Sequence, residues 1–180
     1  SIGATASTGY NFSSWSVTSG NTPASTSTAS TTVSMSKATT LVANATPKVL
    51  TITLDQGGAT TNSSPTTGYL KYNTGKYTNS TATTAWTSTT APKREYTVTY
   101  DMGTTGVTAP ATGKQTDTFN GFYNNSSYTT QLIDATGAFT SSFTNTLVSS
   151  NTTIYAKWTQ GVAITWDANG GYLWGDYNCQ

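Results

Sequence analysis

Tyr96–Gly106, YTVTYDMGTTG, alternates aromatic or aliphatic residues with threonine and then runs into Asp-x-Gly. The pattern occurs twice more, in Leu50–Gly58 (LTITLDQGG) and in Val162–Gly171 (VAITWDANGG). A period of two predicts a strand with one buried face, and aspartate and glycine favour the turn that follows it. We therefore expect a modular β protein, in which Val98 and Tyr100 are core residues of the middle copy.

Three aspartates, Asp55, Asp101 and Asp167, occupy the same place at the ends of these strands. A turn-forming role explains why the residue repeats there, and catalysis or cation binding by the carboxylates is the alternative. The interval from Asp55 to Asp101 is shorter than the interval from Asp101 to Asp167. We therefore expect Tyr96–Gly106 to form the central strand of one long module, and not the start of one of three equal modules.

The composition predicts a mainly β fold. Of the 180 residues, 43 are threonine and 21 are serine, whereas charged residues make up 8% and aromatic residues 12%. Threonine, tyrosine and tryptophan suit pleated, half-buried surfaces. We therefore expect a mainly β or β-rich α+β fold with at most one short helix, within residues 142–149. The net charge of +1 offers no basic surface for nucleic acid. No apolar run approaches the roughly 18 residues of a membrane helix, so we expect no membrane insertion of this segment.

Residues able to carry chemistry are scarce. The chain has no histidine, which is the commonest general base and metal ligand, and Cys179 is its only cysteine. We therefore expect no enzyme activity, no catalytic or metal site and no cofactor, and a Cys179 that is free or available for an intermolecular disulfide.

The charged run Pro92–Glu95 is typical of a solvated turn. A lysine buried beside asparagine or aspartate among aromatic side chains can form an isopeptide crosslink, but the sequence selects no pair.

Several motifs follow one another in a fixed order. After the strand that ends at Asp101 come Phe-x-Gly-Phe-Tyr at residues 119–123, Ile-Asp-x-x-Gly at 133–137 and TTIYAKW at 152–158. This order closely resembles the internalin-type B-repeat, also called the Listeria/Bacteroides repeat. A weaker likeness lies at residues 9–15, Gly-Tyr-x-Phe-x-x-Trp, which with the Thr-Val-x-Met and Val-Ala-x-Ala segments after it resembles the second half of a divergent B-repeat.

The resemblance implies small β-grasp-like modules in series. We expect the C-terminal part of a divergent B-repeat-like module at residues 1–47, a long B-repeat-like module at 48–160, and the first strand of a further, truncated repeat at 161–180. The family implies an extracellular protein, at a bacterial cell surface or secreted, that acts as a non-catalytic stalk, spacer or adhesive fibre segment. Neighbouring repeats or subunits are the implied partners, and a host protein, a cell-surface protein or a glycan are further candidates. In a filament, the strand Val162–Asp167 would complete the unfinished module of another chain by strand addition.

The last motif has a clear inside and outside. In TTIYAKW, residues Ile154, Ala156 and Trp158 share one face because side chains alternate along a strand. We expect Ile154 and Trp158 to lie in the core of the long module beside Phe122. Gly121 is expected where the backbone turns sharply or packs closely.

Four aromatic residues, Tyr69, Tyr72, Tyr77 and Trp86, lie in the least regular region, on either side of a hairpin turn predicted at residues 73–75. If they are exposed on one face, they would stack on sugar rings, and the chain would be a carbohydrate-binding module of a secreted protein. Otherwise they fill a small core. The sequence therefore favours a structural or adhesive repeat, with a carbohydrate-binding module as the alternative and an enzyme as a distant third.

Overall fold

The computed structural model describes residues 1–98, 113–146 and 151–161. All regular secondary structure in these residues is β, as the composition predicts, and they contain no helix. In the segment expected to hold a short helix, residues 142–146 form turns and irregular backbone, and residues 147–149 lie outside the described part. The strands are β1 (Ile2–Gly3), β2 (Tyr10–Ser19), β3 (Ser30–Thr31), β4 (Thr40–Pro47), β5 (Val49–Asp55), β6 (Thr67–Lys71), β7 (Gly75–Tyr77), β8 (Glu95–Val98), β9 (Gly113–Thr116), β10 (Thr118–Tyr123), β11 (Gln131–Ile133) and β12 (Thr152–Thr159).

Six strands form the main sheet, in the order β11-β10-β12-β5-β6-β7. Its two central strands, β12 and β5, run parallel, with Ile154 opposite Leu54. The other neighbouring pairs in this sheet are antiparallel. Two parallel strands therefore lie in the middle of the sheet, each with an antiparallel partner outside it.

One face of the main sheet carries the hydrophobic core, because alternate residues of its central strands point to it. The buried apolar residues of the main sheet are Leu50, Ile52, Leu54, Leu70, Phe119, Phe122, Leu132, Ile133, Ile154 and Ala156. Two irregular segments cover this face with Trp86, Phe139 and Phe143, whose rings meet edge to face at centroid distances of 5.0–5.8 Å. Each large side chain that becomes buried contributes about 1.5–3 kcal/mol.

The remaining strands pair as three two-stranded sheets, β1–β3, β2–β4 and β8–β9. The expectation that Tyr96–Gly106 supplies the central strand of the long module is wrong for its described part, because β8 pairs with β9 outside the main sheet. The sequence of β9, GKQT, has no apolar residue to bury. The central positions belong instead to β5 and β12, whose alternate aliphatic residues are buried.

The hairpin predicted at residues 73–75 is confirmed. It joins β6 to β7, with Lys71 opposite Gly75. Thr74 N donates to Lys71 O at 3.0 Å and closes the turn. Asn73 adopts a φ of 52°, in the left-handed region that asparagine tolerates better than most residues.

The β2–β4 ribbon meets the main sheet where β4 continues into β5. Lys48 N donates to Gly9 O, and Tyr72 N donates to Lys48 O, both at 2.9 Å. The ring of Tyr72 packs edge to face on Tyr10 at 5.2 Å. It also lies against Gly9, where a Cβ would come within 2.5 Å of the ring, and Gly9 has a φ of +85°. The close contact between ribbon and sheet therefore requires glycine at this position.

Candidate functional site

In the described part of the protein, the chain enters the main sheet through β5 and leaves it through β12. These two strands are parallel neighbours. Residues 152–155 pair with residues 52–55. Because the strands are parallel, the start of β5 and the end of β12 lie at opposite ends of the pair. A load applied at those two points acts along the strands and stretches their hydrogen bonds together. Opening a hairpin from its free end, by contrast, breaks such bonds one after another.

Side chains tie β5 and β12 together on both sides of the paired residues. Asn151 Oδ1 accepts a hydrogen bond from Thr51 N at 2.9 Å, across 100 residues of sequence. Trp158 Nε1 donates to Gln56 O at 3.1 Å, across 102 residues. The side chain of Gln56 is itself held, because its Oε1 accepts from Ser63 N at 2.9 Å. The backbone ladder of the central pair is thus extended in both directions.

A buried carboxylate fastens the end of β12 to the β8–β9 ribbon. The Asp117 side chain is 3% exposed, and its Oδ2 accepts from Arg94 Nε at 2.5 Å. Its Oδ1 accepts from Tyr96 Oη at 3.0 Å and from Gly161 N at 2.9 Å. Arg94 also donates from a terminal nitrogen to Gly57 O at 2.9 Å, in the turn after β5. Hydrogen bonds to ionised groups are about twice as strong as neutral ones, so this Asp117 clasp (Arg94, Tyr96, Asp117 and Gly161) is a firm junction.

The protonation states of the clasp follow from these contacts. The hydrogen bond from Gly161 N, with those from Arg94 and Tyr96, holds the pKa of Asp117 below its usual range, against the opposing effect of burial. Burial and the neighbouring Asp117 carboxylate raise the pKa of Tyr96. Asp117 is therefore ionised and Tyr96 neutral at neutral pH, and both are in the form that the clasp needs.

The sequence reasoning missed this clasp. The expectation of a solvated turn at Pro92–Glu95 is wrong at Arg94, whose side chain is 30% exposed and whose guanidinium carbon lies 4.9 Å from the ring centroid of Trp158. The available signal was Asp117 itself, the lone charge in the otherwise strand-like run TDTFNGFY. Its partners are far away in sequence, so local pattern alone does not identify them.

The described residues predicted to shape turns adopt special geometry. Asp55 Oδ1 accepts from Gly57 N at 2.9 Å, which is an Asx-turn. Gly121 has a φ of +103°, and a Cβ there would lie 2.3 Å from Ile133 O. Other predicted positions lie outside the described residues: Tyr100, Asp101, Asp167, Cys179 and the strand Val162–Asp167.

The predicted core residues fall in two places. Phe122 and Ile154 are fully buried in the main sheet. Trp158 is half-buried and packs on this core, 5.4 Å from Phe119 between ring centroids. Val98 ends β8 and thus belongs to the separate ribbon.

The four aromatic residues considered for ligand stacking do not share one surface. Tyr69 and Tyr77 are directly opposite each other on neighbouring strands and are half-buried. Tyr72 packs in the contact between the ribbon and the sheet. Trp86 is 3% exposed and lies in the core, so its ring offers no free face to a sugar. For Trp86 the stacking interpretation is therefore replaced by a packing role.

The described residues hold no group of three or more histidine, cysteine, aspartate or glutamate side chains placed to bind a metal ion. In the same part of the chain, no helix has the length and hydropathy needed to span a bilayer.

One family model matches the beginning of the chain. Its description is "Divergent InlB B-repeat domain", and it covers β1 to β4. Residues 1–48 match a divergent B-repeat. The B-repeat likeness is thereby confirmed for the N-terminal segment. This match does not extend to residues 119–158, where the order of motifs resembles the B-repeat more closely than it does at the N-terminus. The chain has no significant match among curated proteins or among solved structures.

Proposed function

We propose that this chain is a segment of an extracellular repeat protein, at a bacterial surface or in a secreted fibre, and that it serves as a load-bearing stalk or spacer without catalysis. The parallel pairing of β5 with β12 carries the proposal, because it places the entry and exit strands of the main sheet in shear. The N-terminal B-repeat match supports the extracellular location. The low charge suits this role as well, because abundant hydroxyl groups keep an elongated surface hydrated.

The side-chain ties of the central pair agree with a mechanical role. Forced unfolding is governed by the barrier to unfolding, so contacts that must break before the strands slide set the lifetime under load. Asn151 and Trp158 make such contacts beyond the paired residues, and the Asp117 clasp fixes Gly161, where the chain leaves β12.

Force-clamp measurements on the full chain test the proposal. One handle is attached through Lys48→Cys and the other through the native Cys179, so that the load enters at β5 and leaves after β12. We expect Asn151→Ala to shorten the lifetime under constant force several-fold. The matched control is Asn11→Ala at an exposed position of β2, outside the loaded segment, which leaves the lifetime unchanged. Equal lifetimes for both variants would argue against a load-bearing central pair.

A carbohydrate-binding surface is the second candidate, and one observation favours it. The sheet face opposite the core carries two directly opposed tyrosine pairs, Tyr69 with Tyr77 and Tyr123 with Tyr155. All four rings are half-buried, and Lys157 Nζ lies 5.3 Å from the ring centroid of Tyr123. Tyrosine rings with one accessible side stack on sugars.

A glycan array with the purified chain tests this candidate. We expect sugar-specific binding at micromolar concentration that Tyr69→Ala or Tyr155→Ala weakens at least tenfold. Trp86→Phe is the matched control, because the ring at position 86 is buried. An array without sugar-specific binding, or binding that is lost only when Trp86 is changed, would remove this candidate and leave the stalk proposal intact.

A further inference from the structure

We propose that Lys76 and Asn145 form an intramolecular isopeptide bond. Lys76 Nζ lies 3.0 Å from Asn145 Oδ1, and both side chains are half-buried. The amide carbon is one carbonyl bond, about 1.2 Å, from that oxygen, so Nζ is no more than about 4.2 Å from the carbon it would attack. Reacting atoms in near-attack geometry are roughly 3–3.5 Å apart, so a small rotation of the Asn145 side chain is sufficient.

The surroundings of Lys76 favour the neutral amine that such an attack requires. Lys76 Nζ lies 4.6 Å from the ring centroid of Phe143 and 5.3 Å from that of Phe139. The salt bridge found among the described residues joins Arg94 to Asp117, and in the same part of the chain no carboxylate pairs with Lys76. Burial lowers the pKa of Lys76, as expected for a lysine on an apolar surface without a counter-ion. A desolvated lysine is an activated nucleophile.

The backbone on both sides holds the pair in place. Asn73 N donates to Asn145 O at 2.8 Å, which fixes the asparagine beside the β6–β7 turn. Trp86 N donates to Lys76 O at 2.9 Å, and its ring packs on Phe139 and Phe143. The amine and the amide are thus presented to each other by segments 69 residues apart.

The reaction balances without a co-reactant. The Lys76 Nζ lone pair attacks Asn145 Cγ, and a bond forms between Nζ and Cγ. The bond between Cγ and Nδ2 then breaks, and Nδ2 leaves as ammonia with the proton that the amine gives up. No atom changes oxidation state. The product is a secondary amide that joins β7 to the segment covering the core.

This bond would add a property that the stalk proposal does not contain. It would close residues 76–145 into a covalent loop, so that a load could unfold the module but could not extend that loop. The inference depends only on the geometry of the pair and stands whether or not the chain bears load.

Intact mass spectrometry of the unfolded full chain tests the bond. We expect a mass lower than the sequence mass by one ammonia, and a protease digest that contains a branched peptide linking residue 76 to residue 145. Lys76→Arg should restore the full mass, because a guanidinium can keep the ring contacts but is not a nucleophile at neutral pH. Lys71→Arg, on the neighbouring strand, is the matched control and should retain the loss.

An unmodified mass in the native chain would overturn the proposal. So would an ammonia loss that persists in Lys76→Arg, since succinimide formation at the Asn120-Gly121 or Asn169-Gly170 sequences releases ammonia as well. Force extension gives a second readout that is separate from the mechanical strength of the central pair. The bond hides 69 residues from extension, and the contour length gained on unfolding should be shorter by about 230–250 Å than in Lys76→Arg.

Discussion

Gly68→Ala should destabilise the protein through one contact. Gly68 lies in β6 beneath the Trp86 ring, and a Cβ there would lie 2.0 Å from the nearest ring carbon and 2.2 Å from the next. Trp86 cannot easily move away, because it is 3% exposed and its ring is held between Phe139 and Phe143. Overpacking a rigid core costs about 1–3 kcal/mol, and the depth of this overlap puts the expected loss at the upper end, about 3 kcal/mol.

The cause can be isolated with a double-mutant cycle measured by urea unfolding, followed by far-UV circular dichroism. Trp86→Leu alone removes ring contacts, but Gly68→Ala in that background should cost less than about 1 kcal/mol, since the clash is gone. We therefore expect a coupling energy of about 2 kcal/mol between the two positions. Gly75→Ala in the same hairpin is the control, because its Cβ would meet the Tyr77 ring at an ordinary 3.4–3.5 Å. Additive effects, or a Gly68→Ala cost no larger than that of Gly75→Ala, would refute the packing role of Trp86.

Three further substitutions test other parts of the fold. Asp117→Asn should weaken the loss of folding stability at low pH. The pKa of Asp117 is depressed in the folded protein, so its contribution to the free energy of unfolding is present above the unfolded pKa of about 3.9 and is lost as pH falls through the lower folded value. Unfolding measured from pH 6 to pH 2 checks this. Gly121→Ala should cost at least about 1–2 kcal/mol in a urea titration, because φ is +103° and the new Cβ would meet Ile133 O; a neutral effect would contradict the close approach. Tyr72→Ala should speed proteolytic cleavage between the N-terminal ribbon and the main sheet at least several-fold while leaving the sheet protected, and unchanged cleavage would show that the Tyr10 contact does not hold the two together.

The parts of the fold that follow from local pattern could be predicted from the sequence. The period of two in TTIYAKW places Ile154 and Ala156 in the core and Tyr155 on the other face, as the buried positions of β12 show. Asn73 before Gly75 marks the β6–β7 turn because these residues tolerate turn geometry. The alternation of threonine with aliphatic residues identifies β5 as a strand, because it has a period of two.

The pairing of strands far apart in sequence could not be predicted in this way. The Tyr96 strand and β5 have the same local pattern, yet β5 pairs with β12 whereas β8, the described part of the Tyr96 strand, pairs with β9. The choice of partner depends on which rows of side chains can be buried together. Trp86 has hydroxyl-bearing and alanine neighbours with no periodicity, so its burial depends on Phe139 and Phe143, which are more than fifty residues away. The same holds for the Asp117 clasp and for Lys76 with Asn145: each combines ordinary residues whose proximity arises only from the tertiary fold.

The shear arrangement of β5 and β12 is tested most directly by changing the direction of pulling on an otherwise identical module. Handles at Lys48→Cys and the native Cys179 load the two strands along their length. Handles at Lys48→Cys and Thr74→Cys, with Cys179→Ser, load the β5–β6 hairpin from the end where Val49 pairs with Lys71. We expect the first geometry to need several-fold more force at the same loading rate, because its hydrogen bonds must break together. Equal forces in the two geometries would contradict a load-bearing central pair.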